Sequence, residues 1–160
     1  MTKALYPGSF DPVHLGHLDV VEAVAPLFSE IVVVAMFNPA KTDGFFELDE
    51  REALLSATFA HLSNVTTTRF SGLVVTAAAQ LGADVIVKGV RSASDLDVEV
   101  QMAHTNKAVT GIQTVLVPSE PAHSFVSSRF IREISNCGED VSSMVPTSVT
   151  EALGRRKANS

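Results

Sequence analysis

Apolar positions along the chain fall into two rhythms. Short runs rich in β-branched residues at 3–6 (KALY), 31–37 (IVVVAMF), 65–70 (VTTTRF), 84–89 (DVIVKG) and 113–118 (QTVLVP) read as strands. Between them lie longer stretches with helical spacing. Leu18, Val21, Ala25 and Phe28 share one stripe of a helix over 17–28, and further helices are predicted over 49–61, 72–81 and 95–109. Pro26 bends the first helix or ends it early, because proline removes a backbone donor. The run 31–37 shows no polar alternation and needs apolar cover on both faces, as strands of a parallel sheet between helix layers do. The order βαβαβαβαβ predicts an α/β fold: a single doubly wound, Rossmann-like domain over 1–160, with a five-stranded parallel sheet flanked by helices. Beyond 118, SEPAHSFVSSRFIREIS reads as a loop leading into a helix, and a last helix starts near 142. GRRKANS, about 154–160, reads as a frayed basic tail.

Composition narrows the functional classes. At 160 residues with 46 % apolar and 19 % charged positions, the chain is long and apolar enough for one substantial core. A net charge of −6 argues against a nucleic-acid surface spread over the fold, so any anion site must be built locally. Cys137 is the single cysteine, which excludes an intramolecular disulfide and a cysteine-rich zinc site. MTKALYPG lacks the apolar stretch of a signal peptide, and 31–37 is too short to span a bilayer, so a cytoplasmic protein is expected.

The chemistry concentrates where the first strand meets the first helix, at YPGSFDPVHLGH (6–17). Ligands of open α/β sheets bind beyond the carboxyl ends of strands, and this loop occupies that place. Gly8 permits a tight bend or close approach of a ligand, and Pro12 biases Asp11 toward an extended backbone. Gly16 leaves the backbone open, and the helix start offers free N–H groups and positive dipole to a phosphate. His17 projects from that first turn, with His14 one turn away. Either histidine alone would be an ordinary turn residue. A metal site would need a third ligand, and none stands at a recognisable spacing. Neither the Walker pattern nor G-x-G-x-x-G is present. What remains is a phosphate-binding turn carrying a donor histidine.

GSFDPVHLGH resembles the H/T-x-G-H signature of the nucleotidyltransferase superfamily. NPAKTDGFFELDER (38–51), VKGVRSASDLDVEVQMAHTNK (87–107) and HSFVSSR (123–129) are similar, in order and spacing, to the bacterial phosphopantetheine adenylyltransferase family. The resemblance covers essentially the whole chain. It implies reversible transfer of the adenylyl group of ATP to 4′-phosphopantetheine, giving dephospho-coenzyme A and pyrophosphate in coenzyme A biosynthesis. It further implies Mg²⁺ carried by ATP, a homohexamer, feedback by coenzyme A, and no nucleic-acid or membrane partner.

The resemblance also assigns roles by position. His17 is the catalytic transition-state stabiliser and contacts the nucleotide. Ser9, where relatives usually carry threonine, touches both substrates and keeps the hydroxyl; Phe10 contacts the nucleotide through its backbone. Lys41, Val74 and Lys88 fall on acceptor-side positions, and Asn106 on a position near the pantetheine arm. Many relatives carry arginine at 88, and lysine keeps the charge without the bidentate fork. Gly89, Val90, Arg91 and Glu99 belong to the ATP side, together with the loop His123, Ser124, Phe125, Val126, Ser127, Ser128 and Arg129. Arg129 replaces an expected serine, and His123 stands where relatives often place tryptophan. Each lysine, serine or carboxylate taken singly would also suit an ordinary loop cation, helix cap or solvated helix face. Three rivals stand beside this reading: a superfamily enzyme acting on nicotinamide mononucleotide or glycerol 3-phosphate, a non-catalytic nucleotide or coenzyme A sensor, and a metal-binding regulator.

Overall fold

The structure is a computed structural model that describes residues 2–37 and 44–158. Five strands form one parallel sheet in the order β3-β2-β1-β4-β5: β1 Lys3–Gly8, β2 Glu30–Phe37, β3 Val65–Ser71, β4 Val85–Val90 and β5 Gln113–Pro118. The helices are α1 Leu15–Val24, α2 Leu48–Phe59, α3 Val74–Gln80, α4 Ala93–Thr110, α5 Ser128–Asn136 and α6 Thr147–Ala158.

Alternation of side chains sorts the strands onto two cores. Ala4, Tyr6, Val33, Ala35, Val85 and Val87 face the larger core with residues of α1, α2, α5 and α6. Leu5, Val32, Val34 and Ile86 face the smaller one, closed by Ala77 and Ala78 of α3. The unbroken apolar run of β2 is thereby covered on both faces, as its pattern predicts.

Chain order reverses beside β1. The first three strands progress to one side, and β4 then inserts on the other side of β1. At this switch point the two strands diverge. Their register runs through Ala4–Val85 and Leu5–Ile86, whereas β1–β2 continues to Gly8–Ala35 and β4–β5 to Val90–Pro118. Each strand keeps its outer partner while the inner pair separates, which opens a crevice at the carboxyl edge.

Several boundaries differ from the pattern-based expectation. α1 starts two residues earlier, at Leu15, and ends at Val24, where Pro26 sits within a 3-10 turn over Ala25–Leu27. The last helix begins at Thr147 rather than near 142 and continues through most of the stretch expected to fray, as far as Ala158. Tertiary contacts hold it there: Lys157 Nζ donates to the Gly138 carbonyl at 3.1 Å, and the Arg156 guanidinium lies 4.4 Å from the Phe45 ring centroid.

Candidate active site

The crevice between β1 and β4 holds a cleft of about 440 Å³. Its walls bring together Gly8, Ser9 and Phe10 from the loop after β1, His14, Gly16 and His17 from the start of α1, and Lys88, Gly89 and Arg91 from the end of β4. Asp95 and Glu99 reach it from α4, and Ser127, Ser128, Arg129 and Arg132 from α5. Residues distant in sequence converge because strand ends and helix starts all meet at this edge of the sheet.

The two histidines clasp one another. His14 is the residue before the first turn of α1; its backbone N–H donates to His17 Nδ1 at 3.2 Å, and its carbonyl accepts from the His17 N–H at 2.9 Å. The rings stack with centroids 3.6 Å apart, and the Phe10 ring meets His17 edge-on at 4.8 Å. Burial pushes His17 well below the usual imidazole value of 6.5, and the nearby His14, Arg91 and Lys88 push in the same direction. The ring is therefore neutral at pH 7. With Nδ1 accepting a backbone N–H, its proton resides on Nε2, making that atom a fixed neutral donor. Burial, with Arg91 and His123, lowers His14 to about 3, and its Nδ1 is buried without a hydrogen-bond partner.

The helix start adds one more donor. Leu15 N–H is taken by the Met144 carbonyl, while those of His17 and Leu18 bond back to His14. That of Gly16 has no partner among the described residues, and a side chain there would crowd the His14 ring at 3.2 Å. An unengaged N–H on the positive end of a helix suits an anion.

Charges around the cleft are partly paired. Lys88 Nζ lies 3.3 Å from Glu99 Oε1, and Arg91 Nε donates to Asp95 at 2.9 Å while its Nη1 donates to the Val126 carbonyl at 2.9 Å. Glu99 Oε2 is buried with no hydrogen-bond partner. The two serines at the start of α5 differ. Ser127 Oγ accepts the Phe130 N–H as an N-cap, so its own O–H stays available to donate. Ser128 directs its O–H to the Pro12 carbonyl at 2.8 Å and offers an anion no proton. It fastens the loop instead.

Of the predicted site residues, Ser9, Phe10, His17, Lys88, Gly89, Arg91, Glu99, Ser127, Ser128 and Arg129 line the cleft. Arg129 stands at the rim, paired with Glu133 at 2.9 Å. Val90 closes β4 beside Pro118, and Val126 is fully buried with only its carbonyl turned to Arg91. His123 joins Asp19 of α1 at 2.6 Å, Ser124 Oγ donates to the Pro121 carbonyl, and Phe125 is 66 % exposed; none of these three is on the cleft wall. Val74 begins α3, packs against the smaller core and is not among the residues lining the cleft. Asn106 is half-buried on α4, and Lys41 lies outside the described residues. The sequence reading missed Asp95, Asp19 and Arg132. Asp95 stands four residues after Arg91, and Arg132 stands one helical turn after Ser128, spacings that carried the signal. Nothing local joins Asp19 to His123.

Comparison with known proteins places this geometry. Residues 5–134 match the cytidylyltransferase-like family. Two curated relatives, the phosphopantetheine adenylyltransferases of Synechococcus sp. strains JA-2-3B'a(2-13) and JA-3-3Ab, are 47 % and 46 % identical over 154 residues, 96 % of this chain and of each relative. A solved structure from Vibrio parahaemolyticus, described as that of a candidate nicotinate-nucleotide adenylyltransferase, superposes with a TM-score of 0.66 at 18 % identity. The match covers 96 % of this chain and 99 % of that one, and shows the shared fold.

Proposed function

We infer, from the premise that the chain belongs to the phosphopantetheine adenylyltransferases within the cytidylyltransferase-like family, that it transfers the adenylyl group of ATP reversibly to 4′-phosphopantetheine. The products are dephospho-coenzyme A and pyrophosphate. The observation that carries the mechanism is the neutral His17 ring, its tautomer set by the His14 N–H, on the wall of the cleft.

A phosphomonoester has a second pKa of about 6, so the attacking oxygen is already anionic at neutral pH and needs no general base. The barrier lies in bringing two polyanions into line and in the charge that grows on the oxygens of the α-phosphorus. Catalysis is then positioning plus preorganised electrostatics. His17 Nε2–H supplies a directional donor to a developing oxyanion, and Gly16 N–H on the axis of α1 supplies a second. A neutral donor has no proton to lose across the working range, so its hydrogen bond does not vary with pH. The sharing of charge between Lys88 and Glu99 keeps the lysine beside the cleft without a full uncompensated cation.

Position in the family assigns Lys41 and Lys88 to the acceptor phosphate, Val74 and Asn106 to the pantetheine arm, and Ser9 to both substrates. Phe10, Gly89, Val90, Arg91, Glu99 and the 123–129 loop go to the nucleotide. Ser127, with its free O–H, is the stronger phosphate donor of the serine pair. Magnesium enters as part of the substrate MgATP. Feedback by coenzyme A and a cytoplasmic location belong to the same reading. So does a homohexamer, supported by α4, an 18-residue helix with no buried residue that exposes Leu96, Val98, Met102 and Val109.

The test is pyrophosphate release from ATP–Mg²⁺ with 4′-phosphopantetheine, nicotinamide mononucleotide or glycerol 3-phosphate as acceptor. Release with 4′-phosphopantetheine alone is expected. Preference for another acceptor overturns the substrate; nucleotide binding by calorimetry without release from any acceptor makes the protein a sensor.

A further inference from the structure

The loop between β1 and α1 is held in place by side chains of other elements. Three of its carbonyls each accept a hydrogen bond: Ser9 from Arg51 Nη1 at 3.4 Å, Asp11 from Arg132 Nη1 at 2.6 Å, and Pro12 from Ser128 Oγ at 2.8 Å. Between them Phe10 takes φ +45°, a left-handed conformation that a bulky side chain adopts only when its surroundings enforce it. A residue in this region turns the chain sharply, so where the neighbouring N–H groups point depends on what holds the loop on either side of it.

Arg51 is the unusual member of this set. It belongs to α2, its side chain is 9 % exposed, and it is not on the cleft wall. Its Nε donates to the Phe46 carbonyl at 2.7 Å and lies 3.5 Å from Asp11 Oδ1. The Asp11 carboxylate in turn accepts the Phe45 and Phe46 N–H groups at 2.7 and 2.8 Å. One buried cation thus ties the substrate loop, through Ser9 and Asp11, to the strap at 45–46. Gly44 packs against the guanidinium so closely that a Cβ there would overlap Nη2. An interior ion pair could be replaced by apolar side chains at little cost in stability, so its directed bonds to the loop call for another explanation.

We propose that Arg51 is a positioning residue for adenylyl transfer, holding the Ser9–Asp11 backbone so that its N–H groups and the Phe10 ring keep their places against the nucleotide phosphates and His17. It touches neither substrate. The planar fork matters because it serves two carbonyls and a carboxylate at once, which an ammonium on a flexible stem does not. The inference rests on the adenylyl-transfer reading of the cleft.

Arg51→Lys and Gly44→Ala test it in the full-length chain, the second by pushing the guanidinium aside while leaving Arg51 in place. Turnover, both KM values, ATP affinity by calorimetry and the melting temperature are measured together. Arg51→Lys is expected to lower kcat by roughly tenfold to a hundredfold in folded protein, since small misplacements of reacting groups carry losses of that order. Gly44→Ala should act in the same direction, and the double variant should be no worse than Arg51→Lys, because both work through one guanidinium. A purely structural role would lower the melting temperature and leave kcat and both KM values as they were; that result overturns the proposal, as does a double variant whose losses multiply. If Arg51→Lys fails to fold, Gly44→Ala alone decides, on the same kcat criterion. If the parent chain releases no pyrophosphate, the adenylyl-transfer reading has failed. Positioning of the loop is then judged on ATP affinity, where no change in the variants overturns it.

Discussion

In the proposed mechanism His17 is the ring that donates to the developing oxyanion. Its stacking on His14, its edge contact with Phe10 and its backbone-defined tautomer leave Nε2–H as a donor of fixed position. Replacement by alanine should lower kcat on the order of a hundredfold or more while ATP still binds, because the donor acts mainly on the transition state. Steady-state kinetics with calorimetry will show it; a normal kcat in that variant removes His17 from the reaction. The same burial makes a stability statement. His14 has a folded pKa of about 3 against an ordinary 6.5, and His17 is shifted in the same sense. Between those values the unfolded chain takes up protons that the folded chain refuses, so protons favour unfolding. Stability present above 6.5 is lost as pH falls toward 3, by about 1.4 kcal/mol per pH unit for each such group. The melting temperature should therefore fall steadily between about pH 7 and pH 4.5, and fall less steeply in His14→Gln. Parallel slopes for the two proteins would refute this account of His14.

At the scale of elements, the cleft exists because β1 and β4 part above Leu5 and Ile86. α1 packs closely beside that opening. A methyl group on Gly89 would come within 2.8 Å of Val20 Cγ2, a buried atom with little room to move. Gly89→Ala should cost about 1–3 kcal/mol of stability through overpacking, and pairing it with Val20→Ala should restore much of the loss. Denaturant titration of the single and double variants measures this, and an unrescued double variant would place the fault elsewhere. The five strands were legible from their β-branched runs to within two residues at each end. The start of the last helix was not: Val141 and Val145 are buried without being helical, so they mimic the apolar spacing of a longer helix. Likewise the tail reads locally as a solvated run of cations, yet Gly138 and Phe45 hold Lys157 and Arg156 from other parts of the chain.

For the whole molecule the unsolved surface is α4. Val98 is 55 % and Met102 41 % exposed, one helical turn apart on the same stripe of α4. A helix of this length with no buried position is poorly matched to water. If the proposed homohexamer uses this face, Asp at both Val98 and Met102 should yield smaller species, read by light scattering. An unchanged mass would exclude this face from the interface. No helix among the described residues is long and apolar enough to cross a membrane.

The sequence by itself determined the strand and helix order, the parallel sheet and the histidine-bearing turn between the first strand and the first helix, because those follow from local periodicity and from residue types with narrow uses. It also carried the family resemblance. Only the tertiary structure decided which side chains share the cleft, how the pKa values of His14 and His17 move, and that Ser128 braces a loop while Ser127 keeps a free proton. Those properties depend on burial and on partners far away in the chain, including the reach of Arg51 to Ser9 across 42 positions, and no local pattern encodes such distances.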